Sequence, residues 1–370
     1  MTMHNRRLLL GLGIGALLLT LTWGLAGSSA PARTSAQSTF AAQVAALSEP
    51  AGYFDTDNLI SNERSYLDVV PDLKKRGVRG GAYIGVGPDQ NFSYVAAIRP
   101  EIVFIVDIRR DNLLLHLLFK ALFTLARTRV EYLALLLGRP VPAPVDDGES
   151  WRRAPLDRLV SHVEAPALDA RAVLGLRSRV DEALTRIGVP LSHGDLSTID
   201  RFHRRFIDGG VGLRFQSTGR PPQSHYPTYR ELLLATDALG ERSNYLASEE
   251  SFQFIRTLQQ RDLVIPVVGD LSGPRALSAI GALLGQRGQR LSAFYASNVE
   301  FYLFSDERFD PFVANLGRIP RANHGVIIRS VFGRYARGGG SSSHLQSVNE
   351  LVDGFGKGRF RYYGELIDGR

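Results

Sequence analysis

The chain is 370 residues long and 44% hydrophobic, with a formal net charge of +7 and no cysteine. This is enough apolar sequence for a real core in one large or two ordinary domains. The lack of cysteine excludes disulfides, thiol catalysis and thiolate metal sites. The arginines are scattered, with no dense basic run interleaved with aromatics, which argues against nucleic-acid binding.

At the start of the chain, Arg6-Arg7 precede a mostly apolar stretch, Leu8–Ala26, followed by small residues that include Ala30-Pro31-Ala32 and Ser35-Ala36. The pattern predicts a secretory signal or membrane anchor over residues 1–36, with the folded domain in 37–370. Paired arginines before an apolar run resemble a twin-arginine signal. The expected location is exported, in the periplasm or cell envelope, with a transmembrane anchor if the signal stays uncleaved.

Thr39–Ala51 reads as an amphipathic or linker segment. Asn58–Tyr66 precedes a helix-like stretch, Leu67–Lys75, and could fold over a ligand site, where Asn62 and Glu63 would close it from the N-terminal side. The chain is then organised around Gly80–Asn112. A short apolar strand, Ala82–Val86, leads into the turn Gly85-Val86-Gly87-Pro88-Asp89-Gln90-Asn91. A helix over Phe92–Ile98 follows, then a second strand, Ile102–Val106, ending on Asp107.

Glycines let backbone approach a ligand, and the helix behind them offers free N–H groups. An acid about 20 residues further on can accept hydrogen bonds from ribose hydroxyls. The third glycine of G-x-G-x-x-G would fall at Gln90, so a dinucleotide pyrophosphate is disfavoured relative to a nucleoside without phosphate. A plain strand–helix–strand unit that uses glycine only for a tight turn remains the alternative.

Asp111–Leu137 is a long apolar helical pattern interrupted by His116, Lys120, Arg127, Arg129 and Glu131. It carries too much charge for a membrane span and suits a buried helix, with His116 as a core histidine. Gly138–Pro155 is rich in proline, and residues 138–245 read as a helical and loop insertion.

The sheet pattern resumes at Leu263–Val268, followed by Gly269-Asp270-Leu271-Ser272-Gly273-Pro274 and a helix over Arg275–Leu284. Leu291–Ala296 ends at Ser297-Asn298-Val299-Glu300. Phe301–Leu316 looks helical with a split near Asp310-Pro311. Gly325–Phe332 is a last strand, and Gly338–Ser343 reads as a flexible loop. Apolar strands alternating with helices predict an α/β fold, a Rossmann-like and mostly parallel sheet with helices on both faces.

The strand ends, in GVGPDQNFSYVA, FIVDIRRDN, VVGDLSGPRAL and SNVEFYLF, resemble those of class I S-adenosylmethionine-dependent methyltransferases, and more narrowly a bacterial family of uncharacterised exported proteins with that fold. The resemblance implies S-adenosylmethionine as cofactor. It implies Gly85 and Gly87, with Gln90 and Asn91, as the cofactor turn, Asp107 as the ribose acid, and Asp270 with Leu271 at the adenine. Asn298, Glu300 and Tyr295 would orient the methyl acceptor.

Two functions follow: a methyltransferase on an unknown acceptor, or a non-catalytic protein binding a small-molecule ligand on the same fold. Export favours the second, because the methyl donor is made in the cytoplasm. The histidines are dispersed, with no H-x-x-x-H pair and no G-x-S-x-G, so neither a metal site nor a nucleophile elbow is expected.

Overall fold

A computed structural model describes residues 33–141, 149–218, 220, 223–336 and 340–368. The stretch expected to be a signal or anchor lies outside the described residues up to position 32, and backbone helix begins at Arg33. Among the described residues no helix is long and apolar enough to cross a membrane.

Six strands form one sheet: β1 (Ala82–Gly85), β2 (Ile102–Asp107), β3 (Val264–Val268), β4 (Leu291–Ser297), β5 (Arg321–Phe332) and β6 (Ser341–Ser347). Their order is β3-β2-β1-β4-β5-β6. All neighbours are parallel except β5 and β6, which pair antiparallel from Val326–Ser347 to Phe332–Ser341. Every residue of β1 and β3 is buried, as is all of β2 and β4 but the last residue of each. Because alternate side chains point to opposite faces, such strands are covered on both sides.

The five strands expected from apolar runs are present. The expected loop over Gly338–Ser343 is instead, from Ser341 on, part of β6, and residues 337–339 lie outside the described residues. β5 is twelve residues long, and its exposed edge is satisfied by this polar strand.

The expected helix over Asp111–Leu137 is two helices, Arg110–Leu125 and Arg129–Leu136. Ala126 is extended, and the Thr128 side chain accepts the Glu131 N–H as an N-cap. The split expected in Phe301–Leu316 near Asp310-Pro311 falls earlier, between Val299–Ser305 and Phe309–Arg318, with Glu307 at φ +57° in the break and Pro311 inside the first turn of the second helix, where a proline is tolerated. Between residues 138 and 245 the chain forms further helices, including Leu156–Glu164, Ala170–Ile187 and His193–Gly209. The last two pack against Arg110–Leu125. The strand order reverses between β1 and β4, which leaves two neighbouring sets of strand ends, β1–β2–β3 and β4–β5.

Candidate functional site

At the end of β1, Gly85 and Asn91 are fitted to each other. A Cβ on Gly85 would lie 1.9 Å from Asn91 Oδ1 and 2.7 Å from the Tyr83 ring. Asn91 is fully buried: its Nδ2 donates to the carbonyls of Val86 and Pro88, each at 2.8 Å, and its Oδ1 accepts from Tyr83 Oη at 2.8 Å. The amide therefore ties the turn to itself. Gly87 has φ +81°, the left-handed region that favours glycine. Its carbonyl lies 2.9 Å from His116 Nε2. A carbonyl only accepts, so that nitrogen carries the hydrogen; burial pushes the ring down to about 4 and keeps it neutral.

Asp89, in the same turn, is buried. Its Oδ2 accepts from Tyr229 Oη at 2.8 Å and Tyr245 Oη at 3.1 Å, and burial pushes its carboxyl up to about 6. Gln90 is buried too, with Nε2 donating to Tyr295 Oη at 3.1 Å.

Asp107 and Asp270 stand at neighbouring strand ends, and both are held by arginines of the chain. Arg109 grips Asp107 with Nε at 3.0 Å, Nη2 at 2.8 Å and its own backbone N–H at 2.9 Å. Asp270 accepts from Ser272 N and Oγ at 2.8 and 2.7 Å and pairs with Arg308 Nη2 at 2.6 Å. Leu271 is buried, and its carbonyl accepts from Asn315 Nδ2 at 3.1 Å.

Over these ends runs the chain's own segment 48–58. Val268 N donates to Ser48 Oγ at 3.1 Å, Glu49 N to Val268 O at 3.0 Å, and Asp270 N to Glu49 Oε1 at 2.6 Å. Gly52 N donates to Ile108 O at 2.8 Å, so close that a Cβ on Gly52 would sit 2.5 Å from the Ile108 side chain. Arg109 Nη1 reaches on to the Thr56 carbonyl at 2.6 Å.

Beyond β4 and β5 the arrangement differs. A cavity of about 790 Å³ is lined by Asn62, Arg64, Asn298, Tyr302, Arg334 and Tyr335, among others, including the first residue of β6, Ser341. Behind its wall lies Glu63, 1% exposed. Glu63 sits in a loop where its N–H donates to Ser61 Oγ at 3.1 Å. Its carboxylate accepts from Tyr295 Oη at 2.6 Å and from the hydroxyls of Ser297 and Ser330. No cation is among its described partners, and burial pushes its carboxyl up. Ser297 takes φ +52°, uncommon for a residue with a side chain, and the register with β5 shifts between Tyr295 and Ser297.

The three residues expected near a methyl acceptor therefore part company. Asn298 lines the cavity. Tyr295 is buried behind it and touches Glu63 and Gln90. Glu300 is 1% exposed and is joined to Arg329 at 2.6 and 3.0 Å, a buried two-point ion pair beside the cavity.

A hydroxyl chain also leads from the cavity wall inward: Ser341 to Ser65 at 3.0 Å, Ser65 to Ser343 at 3.2 Å, Ser343 to Ser330 at 3.4 Å, and Ser330 to Glu63. Ser65, Ser330 and Ser343 carried no signal in the sequence, where they lie in three separate segments. Among the described residues, no group of three or more His, Asp or Glu could hold a metal ion.

No curated protein matches this sequence. One family profile does, over residues 58–139 and 223–352, which is more than half of the chain and includes all six strands together with Glu63. The chain belongs to that family, described as a domain of unknown function (DUF7790).

Proposed function

We propose that this is an exported, non-catalytic protein that binds a small organic molecule, and that the ligand occupies the cavity beyond β4 and β5. The strand order supports a Rossmann-like sheet, since β3-β2-β1-β4-β5-β6 is the order of the doubly wound dinucleotide fold, here with the last strand reversed. In such sheets ligands sit outside the carboxyl ends of the strands. The carrying observation is the contrast between the two sets of ends: β4–β5 has a roomy cavity of about 790 Å³ backed by a buried carboxyl whose described partners are hydroxyls. That volume is in the usual range for small-molecule sites, and a buried acid raised by desolvation beside a cleft is a candidate for a functional site. Export rests on Arg6-Arg7 and the apolar stretch after them.

The methyltransferase reading draws on the same strand order and on the Gly87 turn. As they stand, the residues at that turn do not fit S-adenosylmethionine. Asp107 already has both oxygens on Arg109, the Asn91 amide is closed on its own turn, and segment 48–58 lies on the strand ends where ribose and adenine would rest. A donor would have to displace that segment and break the Asp107–Arg109 pair.

A thermal-shift panel of nucleosides, sugars, aromatic acids and S-adenosylmethionine tests the proposal. The expected hit raises the melting temperature of the wild type and of Asp107→Ala but not of Tyr302→Ala. A hit that is lost in Asp107→Ala and kept in Tyr302→Ala would move the site to the Gly87 turn.

A further inference from the structure

The cavity wall is one-sided in charge. Arg64, Arg334 and His225 line it with several aromatic rings, and no carboxylate is among its described lining residues. Arg334 lies 4.9 Å over the Tyr335 ring and donates to its hydroxyl at 3.0 Å, an arrangement that holds the guanidinium at the wall. Arg64 pairs with Glu231 at 3.1 Å, but both side chains are about half exposed, so that pair is weak and open to competition. Positive groups over aromatic surface suit an anion carried on a flat or apolar body.

Glu63 lies on the far side of that wall. Two polar routes connect it to the cavity: Ser297, whose hydroxyl is 3.4 Å from Asn298 Oδ1, and the serine chain that begins at Ser341. The ionisable groups facing Glu63 are Tyr295 on β4, Tyr83 on β1 and Tyr94 on the helix Gln90–Ile98. Burial raises all three phenols, and the nearby Glu63 charge adds to the rise, so they stay neutral while Glu63 titrates. An anion arriving in the cavity excludes water and adds negative charge, and both effects favour the neutral acid.

We propose that the cavity takes an organic anion with a flat apolar body, and that its binding is linked to protonation of Glu63 through the hydroxyls that join Glu63 to the cavity wall. This rests on the β4–β5 cavity being the ligand site. Because linkage is reciprocal, affinity for such an anion falls as pH rises through the Glu63 titration. His225 also faces the cavity and could mimic this trend, so it must be removed separately.

The test uses the folded chain and two probes of similar size whose charge does not change with pH, benzenesulfonate and benzyltrimethylammonium, titrated calorimetrically between pH 5 and pH 9. Benzenesulfonate should bind and the cation should not. Its affinity should fall by about fivefold or more across the range, the low end of usual coupling. That fall should persist in His225→Gln and vanish in Glu63→Gln. Ser343→Ala, which cuts the serine chain and leaves Glu63 in place, should reduce it. The proposal is overturned if the cation binds better, if neither probe binds, or if Glu63→Gln keeps the pH dependence while melting like the wild type. The cavity reading itself falls only if a ligand from the panel binds Tyr302→Ala unchanged.

Discussion

The two sets of strand ends differ in how their polar groups are partnered and in the room beside them, a cavity of about 790 Å³ beyond β4–β5 against one of about 390 Å³ at the β2 end. At β1–β2–β3 the glycine turn, two aspartates and a following helix have the makings of a nucleoside site, yet the groups that would hold one are matched from the same chain: Asn91 by the turn carbonyls, Asp107 by Arg109, Asp270 by Arg308 and Ser272, while Asp89 is buried against two tyrosine hydroxyls. At β4–β5 the acid Glu63 meets only hydroxyls among the described residues and stands behind an open cavity. Strand-end motifs thus locate a crevice, but the partners of the polar groups decide whether it is filled from within.

The sharpest break should come at Glu300. Glu300→Ala leaves the Arg329 guanidinium buried and unpaired, and loss of one partner of such a pair costs about 3–5 kcal/mol. Urea denaturation should show this. A loss below about 1 kcal/mol would mean that the pair is solvated and Glu300 free for another role.

Asp89 should make stability depend on pH. Its folded carboxyl titrates near 6 against an ordinary 3.8, so between those values the folded state binds more protons than the unfolded one. Stability contributed by the neutral acid is then present below pH 3.8 and is lost as pH rises through about 6, a difference of about 3 kcal/mol. Asp89→Asn should flatten that part of the profile relative to the wild type. Identical pH profiles of the two proteins would count against a neutral Asp89.

Gly85→Ala sharpens the comparison at the first turn. The added methyl meets Asn91 Oδ1, and overpacking a fitted site costs about 1–3 kcal/mol. Smallest of all should be Asn298→Ala at the cavity wall, within about 0.5 kcal/mol of wild type, since its side chain meets only the long contact from Ser297 and the hydroxyl of the partly exposed Tyr302 among the described residues. Equal losses at the two positions would erase the distinction between a closed turn and an open wall.

Much of the fold was legible because β1 to β4 and the second half of β5 are largely apolar runs, several of them ending on glycine or an acid. β6 was not: Ser341-Ser342-Ser343-His344-Leu345-Gln346-Ser347 has no apolar alternation, and it is a strand because β5 offers it an unpaired edge. The break at Ala126 carries no glycine or proline, and apolar helical sequence resumes after Arg127-Thr128-Arg129, so it did not stand out. Asp107 and Asp270 were correctly set at adjacent strand ends, but their arginine partners could not be read from position alone. The Glu63 cluster was the least visible, since Ser297 and Ser330 are 234 and 267 residues away in sequence. Only the fold of the N-terminal loop onto β4 and β5 brings them to one carboxylate.

The direct test of the closed turn is a calorimetric titration of the folded chain with S-adenosylmethionine and with S-adenosylhomocysteine. Neither should give a saturable signal, because the strand ends that would receive them carry segment 48–58 and the Asp107–Arg109 pair. Saturable one-to-one binding that Asp107→Ala removes would contradict this, and would show that the segment yields to the cofactor.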